Sequence, residues 1–139
     1  MLIWLIAEDE ADILNLMSTM CMVWGHTPLT FETGQKVWDW LDKIEAGQAQ
    51  LQMPDFVLMD IRMPGKKGND VANRMRQISA FQHLPIALMT ANSLSPSEQS
   101  ALMERDGVDY IIAKPLPGFD ELRQTIDEII RKKIASKPS

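Results

Sequence analysis

The sequence predicts a doubly wound α/β fold around a parallel sheet. Three observations carry this: short unbroken apolar runs, an amphipathic stretch after each of them, and five repetitions of that alternation along the chain. Unbroken apolar runs point to strands covered on both faces, which is how parallel sheets are buried. The 139 residues suffice for one domain with a sizeable core.

Leu2–Ala7 is the first run, closed by Glu8, Asp9 and Glu10. Ile13, Leu16, Met17, Met20, Cys21 and Trp24 then fall at helical spacing, and Gly25 is a stop signal. Pro28–Phe31 reads as a short strand, and Val37, Leu41 and Ile44 mark a helix ending near Gly47. Phe56–Met59 is a second buried run ending at Asp60. Asn69–Ile78 follows as a helix, with Val71, Met75 and Ile78 as its apolar positions. Ile86–Met89 is a third buried run ending at Thr90. The next helix opens with Ser95 as N-cap, Pro96 at its first position and Glu98 closing a capping box. It reaches about Asp106, and Gly107 terminates it. Val108–Ala113 is the last strand, ending at Lys114-Pro115. Phe119–Ile134 is a helix with Leu122, Ile126, Ile129 and Ile130 on one face. Residues 1–134 are read as one domain and 135–139 as a short tail.

Composition excludes several classes. Nineteen acidic against fourteen basic residues give a net charge of −5, which disfavours a nucleic-acid surface. The basic cluster Arg131, Lys132, Lys133 and Lys137 suits the negative end of a helix dipole instead. A lone Cys21 forms no internal disulfide, and His26 and His83 lie too far apart in sequence to suggest a zinc set. The apolar start is short, lacks a basic flank and runs into acids, so neither a signal peptide nor a membrane insertion is expected. The expected location is cytoplasmic.

In such sheets the functional site lies outside the carboxyl ends of the strands. There the sequence places Glu8, Asp9, Asp60, Thr90 and Lys114. Three carboxylates in one pocket repel one another and call for a cation, and oxygen ligands of this kind suit Mg²⁺. One carboxylate can then act as nucleophile toward an activated phosphoryl group, with Lys114 and Thr90 meeting the phosphoryl oxygens.

Ala7-Glu8-Asp9-Glu10, Met59-Asp60-Ile61-Arg62-Met63-Pro64-Gly65, Met89-Thr90-Ala91-Asn92 and Ile112-Ala113-Lys114-Pro115 resemble the four motifs of response-regulator receiver domains. They stand in that family's order, each at the end of an apolar run, and the resemblance covers Leu2 to about Ile130. It implies a (βα)5 flavodoxin-like three-layer sandwich with a central five-stranded parallel sheet. It also implies Asp60 as phosphoacceptor, Asp9 as a direct Mg²⁺ ligand, Glu8 as a ligand through water, and the Arg62 backbone carbonyl as another. Thr90 matches the switch hydroxyl and Lys114 the phosphate-pairing lysine. Lys114-Pro115 matches a bond commonly cis in the family, and Tyr110 is assigned to the aromatic switch position, which turns inward when the Thr hydroxyl moves. Arg62 and Asn92 occupy positions that tune phosphoryl lifetime.

Partners implied are a sensor histidine kinase or histidine phosphotransfer protein upstream and a protein target downstream, with phosphorylation-dependent homodimerisation as one form of output. Leu14 and Asn15 are candidates for kinase contact. The chain is expected to act as a signalling switch rather than an enzyme on other substrates, and as a stand-alone regulator; a receiver excised from a longer regulator or hybrid kinase is the alternative. A haloacid-dehalogenase-like phosphatase would want an acid where Arg62 stands, and a phosphorylation-independent module would have no reason to keep three crowded carboxylates. Two departures from the family stand out. Glu8 replaces the commoner Asp, and the stretch between Thr30 and Asp55, with Trp38, Trp40 and Gly47-Gln48-Ala49-Gln50, is long, which predicts an extended second helix or loop. Two residues apart on a helix, Trp38 and Trp40 cannot share a face, so one of them is expected at the surface.

Overall fold

The computed structural model describes residues 1–48 and 52–136. Five strands, β1 (Ile3–Ala7), β2 (Thr27–Phe31), β3 (Phe56–Asp60), β4 (Ile86–Thr90) and β5 (Tyr110–Ala113), form one parallel sheet in the order β2-β1-β3-β4-β5. Between and after them run α1 (Ala11–Val23), α2 (Gly34–Glu45), α3 (Gly68–Arg76), α4 (Pro96–Ser100, continued as a π-helical turn over Ala101–Arg105) and α5 (Phe119–Ser136). The predicted doubly wound architecture is the observed one. The last helix runs two residues past Ile134.

Strand alternation divides the apolar side chains between two cores. Leu5, Val57, Ile86 and Leu88 meet Val37 and Leu41 of α2, Val71 and Met75 of α3, and Leu102 after α4. Ile6, Phe56, Leu58 and Met89 meet Met17 and Cys21 of α1 and Leu122 and Ile126 of α5. Each fully buried Leu or Ile contributes about 1.5–3 kcal/mol, which is why the register of all five strands is strongly specified. Strand order reverses at β1, with β2 on one side and β3 on the other, so a crevice opens at the carboxyl ends of β1 and β3.

Capping follows the sequence closely. The Ser95 hydroxyl accepts from the Glu98 N–H at 3.1 Å while the Glu98 carboxylate accepts from the Ser95 N–H at 3.1 Å. Gly25, Gly47 and Gly107, the three predicted stops, all have positive φ. The expected surface tryptophan is only half right. Trp40 is buried against Phe31 and Phe81, but Trp38 lies under Lys66 and Arg74, whose charged ends sit 4.4 and 4.5 Å from its ring. The second helix is 12 residues long. It ends at Glu45, and Ala49 and Gln50 of the expected run lie outside the described residues. Lys137–Ser139 do too. Among the described residues no helix is long and apolar enough to cross a membrane.

Two glycines seat the β3–α3 connection. Gly34 opens α2 against the Lys66 carbonyl, and Gly68 opens α3 against the carbonyl of Asp60; a Cβ at either would overlap those oxygens. Gly34→Ala should therefore destabilise the fold by about 1–3 kcal/mol, read as a lower thermal midpoint, because main chain must move. Gly118→Ala, with nothing within 4 Å of the new methyl, should leave the midpoint nearly unchanged.

Candidate functional site

The carboxyl ends of β1, β3 and β5 bring Glu8, Asp60 and Lys114 together. Lys114 Nζ donates to Glu8 Oε1 at 2.7 Å and to Asp60 Oδ2 at 3.1 Å. Glu8 is wholly buried, whereas Asp60 keeps 7% of its surface and Asp9 is exposed at the rim. One carboxylate oxygen from each of Glu8, Asp9 and Asp60 can be chosen so that all lie within 4.8 Å of one another, a spacing that could hold a metal ion. The second Glu8 oxygen, Oε2, is buried with no hydrogen-bond partner, an acceptor left free for a cation or its water. The Lys114-Pro115 bond is cis.

Electrostatics follow from this crowding. Burial and the adjacent Asp60 carboxylate push Glu8 up to about 7, against the pull of Lys114. Lys114 is drawn down by burial but raised overall by its bonds to Glu8 and Asp60, so it stays charged. Elsewhere, burial raises the Cys21 thiol to about 11, which removes it as a nucleophile at neutral pH.

Thr90 closes the far side. It is 6% exposed at the end of β4, accepts from the Asn92 N–H at 3.1 Å and donates to the Asn92 carbonyl at 3.4 Å. Arg62 and Asn92 both border a cavity beside Thr90. The structure does not place Tyr110 with this group. Strand alternation sets Tyr110 on the face of Ile112, and it lines a groove with Thr125, Glu128 and Ile129 of α5, 44% exposed. Ile111 is the residue whose register partner is Leu88, and it packs on the α2–α3–α4 side of the sheet, the side of Thr90's neighbours. Tyr110 and Thr90 therefore lie on opposite faces of the sheet, and the structure does not bring the two residues of the expected switch pair together. Counting strand faces back from Lys114 in twos would have shown this. Leu14 likewise is buried in the core, leaving only Asn15 of that pair exposed.

The sequence model of the response regulator receiver domain matches residues 4–127. The chain belongs to this family. It is similar to stress response regulator protein 1 of Scheffersomyces stipitis, 35% identical over 83 residues, covering 59% of this chain and 28% of that protein. It also resembles the two-component response regulator ARR7 of Arabidopsis thaliana, 26% identical over 98 residues, covering 68% of this chain and 46% of that protein. The chain thus spans less than half the length of these two relatives. Among solved structures, a CheY-like receiver domain protein from Methanospirillum hungatei superposes with a TM-score of 0.78 at 20% identity, over 99% of both chains. This receiver domain is a signalling module of two-component response regulators, a family that interacts with histidine kinases or phosphotransfer proteins.

Glu8 provides a pH test. Its carboxyl lies near 7 folded against 4.5 in the ordinary state, so the folded protein binds that proton more tightly. The resulting stabilisation is complete below the unfolded value and is lost as pH rises through 7. Without divalent cations, wild type should lose stability relative to Glu8→Gln between about pH 5 and about pH 8. A difference in thermal midpoint that stayed constant with pH would remove the assignment.

Proposed function

We propose that this receiver accepts a phosphoryl group on Asp60 from the phosphohistidine of a sensor histidine kinase or histidine phosphotransfer protein. The observation that carries the reading is the gathering of Glu8, Asp9 and Asp60 at one sheet edge, with a single ammonium between two of them and one buried carboxylate oxygen unpartnered. This donor set is all oxygen and over-anionic, which fits Mg²⁺. Asp9, Asp60 and the Arg62 carbonyl would hold the ion directly and Glu8 through water. Bound there, Mg²⁺ would neutralise the carboxylates and the oxygens of an incoming phosphoryl group.

The chain's own residues then divide the work. An Asp60 carboxylate oxygen forms the new bond to phosphorus in line as the bond to the histidine nitrogen breaks, and the imidazole leaves with its electron pair. Lys114, already 3.1 Å from Asp60, exchanges that bond for a phosphoryl oxygen. Thr90 gives up its turn with Asn92 and donates to a second oxygen. The β4–α4 connection follows Thr90, so the surface of α4, β5 and α5 is what a downstream protein reads.

Incubation with Mg²⁺ and acetyl phosphate should give one phosphoryl adduct by intact mass, abolished in Asp60→Asn and by EDTA. An adduct of equal stoichiometry on Asp60→Asn would show that another residue accepts the group.

A further inference from the structure

A cavity of about 500 Å³ opens between the start of α3 and the end of α4, a size that suits a small-molecule ligand. Ile61, Leu94 and Leu102 give it an apolar part, Leu102 buried and the other two half-buried. Its cations come from two walls: Arg62 and Lys67 from the β3–α3 connection, Arg105 from the end of α4. Each keeps a donor in hand. With the Asn92 amide oriented as its donors require, its side-chain oxygen accepts from Arg62 Nε at 3.0 Å and Nη2 at 2.9 Å, which leaves Arg62 Nη1 over. Arg105 gives Nε and Nη2 to Asp106 at 3.1 and 3.0 Å, which leaves its own Nη1 over. Lys67 is the N-cap of α3, yet its side chain makes no capping bond, and Nζ has no ion-pair partner among the described residues. Among the described residues Glu98 is the one carboxylate in the lining, and it is held in the α4 capping box by the Ser95 N–H at 3.1 Å. Three cations thus face one carboxylate in a chain of net charge −5.

We propose that this cavity is a second ligand site, one that takes a phosphate monoester with a ring-sized apolar body. Its phosphate meets Lys67, Arg62 and Arg105, and its apolar body lies on Ile61, Leu94 and Leu102. Donors without acceptors select an anion, and guanidinium and ammonium groups match phosphate oxygens. Asn69 and Ser93 add an amide and a hydroxyl to the lining. The cavity is larger than a bare phosphate needs, and its apolar side chains reward a ligand that covers them. Glu8, Asp9, Asp60 and Lys114 do not line it, so the site is separate from the acid pocket and calls for no metal ion. It also stands independently of the reading of Asp60 given above.

The test is a titration with phenyl phosphate, followed by backbone-amide NMR in EDTA at constant ionic strength, on wild type, Lys67→Gln, Lys67→Glu and Asp60→Asn. EDTA keeps the acid pocket from drawing phosphate in through a metal ion. The amides of Asn69, Ser93, Leu94 and Ala101 should move together along one binding curve. Lys67→Gln should weaken binding about five- to tenfold and Lys67→Glu should abolish it, both with the free protein's spectrum otherwise retained, while Asp60→Asn should bind as wild type does. Inorganic phosphate should bind about fivefold more weakly than phenyl phosphate. Three results would overturn the site: no shifts at tens of millimolar ligand, shifts confined to Asp9, Asp60 and Lys114, or a Lys67→Glu curve equal to wild type. Equal binding of inorganic phosphate and phenyl phosphate would overturn the assignment of a monoester. None of these results depends on phosphoryl transfer, so the site and the phosphoacceptor reading fail separately.

Discussion

One ammonium between two buried carboxylates is the constraint on which the rest of the molecule depends. Lys114 reaches Glu8 and Asp60 across the ends of three different strands, with a close-packed core directly beneath. Charges so placed are costly unless they meet, and they meet only when β1, β3 and β5 keep their register. The two cores supply that register from both faces of the sheet. Apolar burial thus fixes the geometry of a site that is electrostatically unfavourable by itself, and the Glu8 carboxyl, pushed up to about 7, records how unfavourable.

The neighbouring loops serve the same end. Gly34 and Gly68 let α2 and α3 approach the main chain on either side of the segment that carries Arg62, so that segment is clamped by backbone contacts. The connection after β4 has no such glycine seat among the described residues, and its side-chain contacts include the grip of Arg62 on Asn92. One wall of the crevice is consequently built from main chain and the other from exchangeable polar contacts. This asymmetry would suit the proposed transfer, in which Asp60 stays in place while the Thr90 hydroxyl moves.

Most of the architecture was legible in the sequence because it rests on local chemistry. Apolar runs together with the short Pro28–Phe31 stretch announced five strands, Ser95, Pro96 and Glu98 announced a helix start, and three glycines announced stops. The polar residues at the strand ends followed from the topology, and Glu8, Asp60 and Lys114 do converge. What failed depended on counting. Tyr110 was matched by residue type, although its distance from Lys114 places it on the α5 face. Leu14 was matched by nearness to the site, although its spacing from Met17 and Cys21 puts it in the core. Contacts between distant residues, such as Arg62 with Asn92 or Trp38 beneath Lys66 and Arg74, leave no periodic trace in a single sequence.

The π-helical turn over Ala101–Arg105 carries a consequence for recognition. Such a turn accommodates one residue more than a regular helix, and each residue advances a helix by roughly 100°. Here it closes the helix, with the Asp106 N–H donating to the Ala101 carbonyl at 3.3 Å. Within this turn Leu102 is buried and Met103 is 43% exposed. A partner that approached this helix would meet a last turn wider than regular winding, with Met103 at its surface, a shape that the amino-acid order does not announce.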